Sequence, residues 1–346
     1  DRRQRQMCIR DKNYTKEKTG RDVNMKKLLA IGEALIDFIP RNTGVPIKQV
    51  ESFKPAVGGA PANVCGAFTK LGGESKLITQ LGNDPFGDKI VDEFEYYGIG
   101  CEYVSRINDA NTSLAFVALK DDGNREFSFY RKPGADMLLK PETIKEDWFK
   151  DAFALHFCSV SIGDFPMKDA HEKAIEYAAN SGAIISFDPN VRLALWDDID
   201  LLRKRINEFI PKADIVKISD EELEFITGKD SIEDALPQLF TGRVKLVIYT
   251  KGSEGAEAYT KSVSVSAPAE KVNAIDTTGA GDAFIGSLLY QLAEDGVTTD
   301  SIADLTEDKL EEYLKKSNGY CAKSVLENGA IAVSYTHLRA HETDSY

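Results

Sequence analysis

One short stretch, AIDTTGAGDAF at 274–284, carries residue types that suit the transfer of a phosphoryl group. Phe284 and Leu288 follow the glycines at helical i,i+4 spacing, so the glycines lie where a helix begins. The first amide N–H groups of a helix lack partners within it, and they attract anions. Gly279 and Gly281 let the backbone approach a bound group closely. The stretch therefore predicts an anion hole that contains no lysine.

Asp282 follows these glycines, and its carboxylate would repel a phosphate rather than bind it. If a substrate hydroxyl lies between the two groups, the carboxylate can accept its proton while the oxygen attacks the γ-phosphorus. The structural alternative is a glycine-rich turn whose acidic residue only complements the helix dipole. A bare G-x-G-D would favour that alternative, but the longer D-T-T-G-A-G-D string is far more specific.

Composition restricts the class of protein. The chain has 346 residues, 42% of them hydrophobic, and a formal net charge of −13. Nucleic acid and anionic membranes are disfavoured as partners, since both demand an excess of Lys and Arg. No apolar run approaches the length of about 18 residues that a membrane-spanning helix needs. The five cysteines have no C-x-x-C spacing, which disfavours disulfides and zinc and favours a cytoplasmic protein.

Short apolar runs alternate with helical patterns, which predicts a mostly parallel sheet covered by helices. The predicted strands are 28–38, 75–82, 153–161, 183–190, 213–219 and 244–250, and the predicted helices are 62–72, 86–99 and 167–182. Residues 112–120 and 125–131 flank a D-D-G-N turn and predict an antiparallel hairpin, which we interpret as a lid at about 110–135. His156 is predicted to be a core residue and His171 a surface residue.

Both ends are atypical of a folded enzyme. Residues 1–24 are rich in Lys and Arg and contain no apolar segment, so they are not a secretory signal. Residues 333–346 resemble the translation of a sequencing adapter. We therefore interpret 1–24 as a non-native leader, 25–332 as one folded domain and 333–346 as an adapter-derived tail.

Several stretches together resemble the ribokinase (PfkB) family of carbohydrate kinases, and within it the fructokinases. D-T-T-G-A-G-D is similar to the C-terminal signature of the family, and V-G-G-A-P-A-N-V with L-G-N-D-P-F-G is similar to the N-terminal one. Stretches similar to fructokinases are G-E-A-L-I-D-F, F-Y-R-K-P-G-A-D-M-L-L, F-D-P-N-V-R and K-I-S-D-E-E-L. The resemblance covers about 25–332 and implies a ribokinase-like, doubly wound three-layer α/β/α domain with a small β-sheet lid.

The resemblance also implies roles for single residues. Asp282 would be the catalytic base, and the anion hole would consist of the amides of Gly279, Ala280 and Gly281. The candidate sugar-binding residues are Asp37, Gly58, Gly59, Asn63 and, at the end of the hairpin, Arg131. Without the family, the structural alternative is favoured for Asp37, as a solvated turn residue, and for Asn63, as a helix-start residue. For Arg131, a surface residue is as well supported as a contact with the sugar or the transferred phosphate.

Nucleotide contacts are implied at one loop and one late helix. The loop T-K-G-S-E-G contributes Thr250 and Gly252 as contacts and Gly255 as a turn residue, and Asn318 lies on the helix that would flank adenine. ATP would arrive as its Mg²⁺ complex.

Two candidate ion sites follow from the same resemblance. Glu222 would organise Mg²⁺ through water, although Ser219-x-x-Glu222 also fits a capping box, and both interpretations can hold together. Asp276 and Thr278 match positions that hold a monovalent cation in some relatives, with K⁺ as the candidate ion. The rest of that cation site would come from the segment after Gly329.

We expect an ATP-dependent sugar kinase that phosphorylates a primary hydroxyl, and D-fructose is the favoured substrate. The alternatives are a kinase for 2-keto-3-deoxygluconate, ribose or a riboside, and a sugar-binding regulator that has lost catalysis. The intact G-A-G-D argues against the regulator, and the missing G-x-G-x-x-G spacing argues against a Rossmann oxidoreductase. By analogy with this fold, the lid strands are a candidate homodimer interface.

Overall fold

A computed structural model of the chain describes residues 26–42, 44–119 and 125–326. The leader, the tail, the turn of the hairpin and the segment after Gly329 lie outside the described residues.

A large sheet forms the centre of the described part of the chain. Its strands are β1 (Lys27–Ile31), β4 (Ser75–Gly82), β5 (Val104–Ile107), β8 (Ala152–Cys158), β9 (Ile184–Asp188), β10 (Ile215–Ser219), β11 (Leu246–Thr250), β12 (Ala256–Tyr259) and β13 (Ser264–Ala267). Their order is β13-β12-β11-β10-β9-β8-β1-β4-β5. Strands β5 to β11 of this order pair in parallel, and β12 and β13 are antiparallel. Strand β8 is buried along its whole length, as expected for a parallel strand covered on both faces.

Helices cover both faces of this sheet. They are α1 (Ala60–Lys70), α2 (Pro85–Tyr97), α3 (Pro166–Asn180), α4 (Ile199–Phe209), α5 (Asp220–Thr227), α6 (Ile232–Leu239), α7 (Ala280–Glu294) and α8 (Glu307–Ser324). Two apolar clusters, one on each side of the sheet, form most of the core. Phe284 and Leu288 are buried in one of them, which confirms the helical spacing after Asp282. The doubly wound α/β/α architecture is confirmed.

A second, smaller sheet contains the predicted lid hairpin and adds two strands to it, and its function as a lid stays a prediction. Its strands are β2 (Leu35–Pro40), β3 (Phe53–Gly58), β6 (Leu114–Leu119) and β7 (Arg125–Tyr130), in the order β3-β2-β6-β7. The antiparallel pair β6–β7 is the predicted hairpin. Phe127 and Phe129 share a face, with ring centroids 5.6 Å apart, as the alternation predicts.

Two sequence predictions are wrong. The run 28–38 is not one strand, because β1 ends at Ile31 in the large sheet and β2 begins at Leu35 in the small sheet. Both halves are apolar, so the pattern of hydrophobic residues does not reveal the change of sheet. His171 is not a surface residue: it is buried on α3, and its Nδ1 atom lies 2.8 Å from the carbonyl oxygen of Met167. His156 is buried, as predicted.

Among the described residues, none of the helices combines the length and the apolar character that crossing a membrane requires.

Candidate active site

The glycines of D-T-T-G-A-G-D begin helix α7, as predicted. Gly279 is its N-cap residue, with a φ of 75° that favours glycine, and the helix starts at Ala280. The amide of Ala280 donates to the carbonyl oxygen of Thr277 at 3.2 Å, whereas the first turn offers no intrahelical acceptor to the amide of Gly281. This geometry suits an anion, and the role of these amides stays a prediction.

Two side-chain amides hold Asp282, which lies in the first turn of α7. Asn63 Nδ2 donates to Oδ2 at 2.8 Å, and Asn190 Nδ2 donates to Oδ1 at 3.0 Å. Asp282 is only 4% exposed. Burial raises its pKa to about 6, against the hydrogen bond from Asn63 that lowers the pKa. A carboxylate with this pKa is ionised at neutral pH and is a stronger base than an exposed aspartate.

Asn190 was missed in the sequence. It follows β9 in the stretch Asp188-Pro189-Asn190, and its backbone N–H donates to Oδ1 of Asp188 at 3.1 Å. Its φ of 47° is in the left-handed region, which asparagine tolerates. The signal was available, because polar residues at the carboxyl ends of parallel strands line the ligand crevice of such sheets.

A buried ion pair, also missed, lies beside the same helix. Lys217 Nζ on β10 is 2.8 Å from Oδ2 of Asp188, and both side chains are buried. A Cβ atom added to Gly281 would lie 3.2 Å from this Nζ. Burial alone would lower the pKa of Lys217, but the carboxylates around it raise the pKa above its ordinary value. The lysine is therefore charged.

The predicted sugar-binding residues lie on the lid and at the start of α1. Asp37 is on β2, half-buried, and its carboxylate makes no hydrogen bond to any described residue. Burial and the charge of Glu33 raise its pKa to about 6. A Cβ on Gly58 would collide with Oδ2 of Asp37, so any larger residue there would displace this carboxylate. The alternative that Asp37 is a solvated turn residue is wrong.

Gly59 and Asn63 begin α1. Gly59 is the N-cap residue with a φ of 120°, and a Cβ there would collide with the carbonyl oxygen of Glu33. Asn63 lies one turn into the helix and reaches across to Asp282, so the structure brings these two predicted residues together. The Oδ1 atom of Asn63 is buried and has no hydrogen-bond partner. Arg192 lowers the pKa of both Asp37 and Asp282, which indicates that the two carboxylates share one charged environment.

Arg131 is not a surface residue. It is 6% exposed, and its Nε and Nη2 atoms donate to Oδ2 of Asp136 at 2.8 and 2.5 Å. Nη2 also donates to Oγ of Ser161 at 3.2 Å, and this hydroxyl donates to Oε2 of Glu33 at 2.9 Å. The network joins the base of the lid to the end of β1. Contact between Arg131 and a sugar stays a prediction.

The predicted nucleotide residues lie near β11, β12 and β13, the three strands at one side of the large sheet. Thr250 ends β11, and Gly252 and Gly255 bound the turn that leads to β12. Asn318 is on α8, as predicted, and its Nδ2 atom donates to the carbonyl oxygens of Ala267 and Pro268 at 2.9 and 3.2 Å. This amide fastens α8 to the end of β13, and its place beside adenine stays a prediction.

Glu222 forms the capping box of α5 with Ser219. Its Oε2 atom accepts the Ser219 N–H at 2.9 Å, and Oε1 accepts the Val191 N–H at 2.6 Å. Each oxygen keeps a second lone pair, so the residue also fits a water ligand of Mg²⁺. Asp276 Oδ1 accepts the N–H of Thr278 at 2.9 Å, and the other ligands implied for K⁺ lie outside the described residues. In the part of the chain that the structure describes, no group of three or more His, Cys, Asp or Glu could hold a metal ion.

Comparison with known proteins matches residues 25–337 to the family described as "pfkB family carbohydrate kinase". Fructokinase-2 of Solanum lycopersicum is 40% identical over 305 residues, which are 88% of this chain and 92% of the relative. Fructokinase of Xylella fastidiosa with bound ATP is similar with a TM-score of 0.82 and 34% identity, over 89% of this chain and 95% of that one. Fructokinase of Vibrio cholerae O395 in its fructose-, ADP- and calcium-bound form has a TM-score of 0.78 and 32% identity, over 90% and 96%.

Proposed function

This chain belongs to the pfkB family of carbohydrate kinases, and from that premise we propose that it phosphorylates a primary hydroxyl of D-fructose to give fructose 6-phosphate. It is an ATP-dependent sugar kinase, a phosphotransferase with an alcohol group as acceptor. The single observation that supports our mechanism is Asp282, a buried carboxylate in the first turn of α7 with a pKa raised to about 6. Fructose is favoured because relatives at 40% identity, such as that of Solanum lycopersicum, are fructokinases.

Asp282 is the general base of this proposal. Asn63 and Asn190 orient its two oxygens, and one of them accepts the proton of the sugar hydroxyl as that oxygen attacks the γ-phosphorus. The bond from the γ-phosphorus to the bridging oxygen breaks, and ADP leaves. The amides of Gly279, Ala280 and Gly281 stabilise the charge that develops on the transferred group.

The sugar lies between the lid and α1 in this proposal. Asp37 accepts hydrogen bonds from sugar hydroxyls, and the backbone of Gly58 and Gly59 approaches the ring closely. Asn63 contacts both the sugar and the base, and its unpartnered Oδ1 atom is an acceptor ready for a hydroxyl. The lid excludes water, which would otherwise compete as the phosphoryl acceptor.

The nucleotide enters as MgATP. Thr250, Gly252 and Asn318 are its proposed contacts, and Mg²⁺ neutralises charge on the β- and γ-phosphates when bound. Glu222 orients a water ligand of this ion through its free lone pairs. K⁺ binding at Asp276 and Thr278 and a homodimer through the lid belong to the same proposal. The exposed rings of Phe127 and Tyr130 on β7 favour the dimer.

The test is sugar-dependent release of ADP from MgATP by the full chain. The panel is D-fructose, D-glucose, D-ribose and 2-keto-3-deoxygluconate, and ³¹P NMR of the product identifies the oxygen that is phosphorylated. We expect turnover on D-fructose and phosphate at O6. Turnover only on another sugar would replace the substrate and keep the mechanism. Binding of a sugar without turnover on any of them would favour the non-catalytic regulator.

A further inference from the structure

A buried cation lies beside the first turn of α7. Lys217 Nζ is hydrogen-bonded to Asp188 at 2.8 Å, and it lies close to the backbone of Gly281, where an added Cβ would be 3.2 Å away. This is the backbone that we have proposed as the anion hole. The ammonium group and the transferred phosphoryl group would therefore both lie close to one helical turn.

The ion pair is poorly explained by stability alone. A buried pair often contributes little to folding, because the loss of hydration offsets the attraction between its charges. Here Lys217 is also surrounded by more than one carboxylate, since Glu222 and Asp282 act on its charge in addition to Asp188. The site therefore concentrates negative charge around one lysine, at the place where ATP would bring more.

Asp188 fixes this lysine and also connects it to the base. Its Oδ2 atom holds Lys217 Nζ, and its Oδ1 atom accepts the N–H of Asn190, whose side chain donates to Asp282. The carboxyl ends of β9 and β10 thus place the cation and the base in one hydrogen-bonded unit. A change in the charge of Lys217 must be felt at Asp282.

We propose that Lys217 is a positioning residue of the kinase reaction, and that its charge favours negative charge both on Asp282 and on the phosphoryl group held by the first turn of α7. This inference rests on the proposed function. In the mechanism above, the amides of α7 stabilise the charge on the transferred phosphoryl group. The inference adds Lys217 as a second group of the protein that stabilises this charge.

Other groups act on the same base. The charged and titratable groups that face Asp282 are Asp188, Arg192, Lys217, Cys158 and Cys321. Asp188 raises the pKa of Asp282, whereas Arg192 and Lys217 lower it. Burial raises the pKa of both thiols, so they stay neutral across the working range. A test must therefore change the charge of Lys217 while Asp188 is held constant.

The test compares Asp188→Asn with the double variant Asp188→Asn/Lys217→Met. Both lack the Asp188 carboxylate, and they differ only in the ammonium group. We expect the acid limb of kcat/KM to lie about one pH unit higher in the double variant, because the cation no longer favours ionised Asp282. Its kcat on the pH plateau should be lower by about tenfold or more, since charge on the phosphoryl group has lost a stabilising partner.

A second readout needs neither sugar nor nucleotide. Carbon-13 NMR of the aspartate carboxyl groups, with the Asp282→Asn spectrum to identify the signal, gives the pKa of Asp282 in both variants. We expect the higher pKa in the double variant. Equal pKa values together with equal kcat would overturn the inference and leave Lys217 as the structural counter-ion of Asp188.

If Asp188→Asn does not fold, Lys217→Met is compared with Lys217→Arg, and both variants keep the Asp188 carboxylate. Equal turnover in these two variants would overturn the inference. Should the unaltered protein phosphorylate none of the sugars, the proposed function fails, and the carboxyl titration still decides whether Lys217 acts on Asp282.

Discussion

Helices α5 and α7 each carry an acidic residue of the candidate site in the first turn, Glu222 in α5 and Asp282 in α7. The surroundings of these two carboxylates differ. Glu222 in α5 accepts two backbone N–H groups, and one of them belongs to the N-cap residue Ser219. Asp282 in α7 is held by the side chains of Asn63 and Asn190. Glu222 thus satisfies backbone donors, whereas Asp282 is held by side chains and leaves the amide of Gly281 without an acceptor in the first turn.

The N-cap residues account for this difference. Ser219 is extended, with φ of −90°, and its side chain and that of Glu222 satisfy the backbone of α5 in a capping box. Gly279 has a φ of 75° and no side chain to donate or accept. An acidic residue in the first helical turn is therefore part of a helix cap in α5 and, in our proposal, the general base in α7.

The largest expected effect separates the two carboxylates by turnover. Asp282→Asn should lower kcat by about 10²-fold or more, because the amide cannot accept the hydroxyl proton. Glu222→Gln is the matched control, and at saturating Mg²⁺ it should retain most of the turnover. Steady-state kinetics with D-fructose measures both. Equal losses of kcat in the two variants would contradict the different roles that we assign to Asp282 and Glu222.

A second experiment sharpens the comparison through pH. Burial raises the pKa of both Asp282 and Asp37 to about 6, and in the proposed mechanism both groups act as carboxylates. Below pH 6, log kcat/KM should fall with a slope approaching 2, and with a slope of 1 in Asp37→Asn. A slope of 1 in the unaltered protein would mean that only one of the two carboxylates controls the reaction.

The third effect is on stability. The pKa of Asp282 in the folded protein, about 6, is above the ordinary value of 3.8 for an aspartate, so folding free energy is lost as the pH rises from about 4 to about 6, and the full cost applies above that range. Asp282→Asn should therefore stabilise the protein at pH 7 by about 1–3 kcal/mol. The gain should vanish near pH 4, where the aspartate is protonated in the folded state. Thermal unfolding at the two pH values measures it, and a loss of stability at pH 7 would contradict it.

The smallest expected effect is at the structural carboxylate. Glu222→Ala removes both the capping box and the acceptor for the Val191 N–H. Chemical denaturation should show a loss of about 1–2 kcal/mol, the usual magnitude for a helix cap. Glu221→Ala, in the same turn but exposed, is the control and should change stability little. An unchanged Glu222→Ala protein would mean that water replaces the cap at no cost.

The sequence was sufficient to predict the architecture and the position of the N-terminus of α7. The alternation of short apolar runs with helical patterns identified the parallel sheet, and the i,i+4 spacing of Phe284 and Leu288 located the helix start at the glycines. The sequence was insufficient to predict which side chains from different segments of the chain contact each other. Lys217 and Asp188 each lie in an apolar strand pattern, and only the pairing of β9 with β10 brings them together. Arginine is usually a surface residue, so the sequence did not predict that Arg131 is buried. Only the structure shows that it pairs with the buried Asp136.

Pairing of β2 with β6 makes the small sheet an element of long-range contacts. Ile36 lies opposite Leu114, so the small sheet joins two stretches of chain that are separated by β3, α1, β4, α2 and β5. A contact between such distant positions forms only when the chain between them closes into a loop. On the ribosome, Asp37 is synthesised well before β6. It therefore cannot acquire its final surroundings until the intervening segments have also emerged.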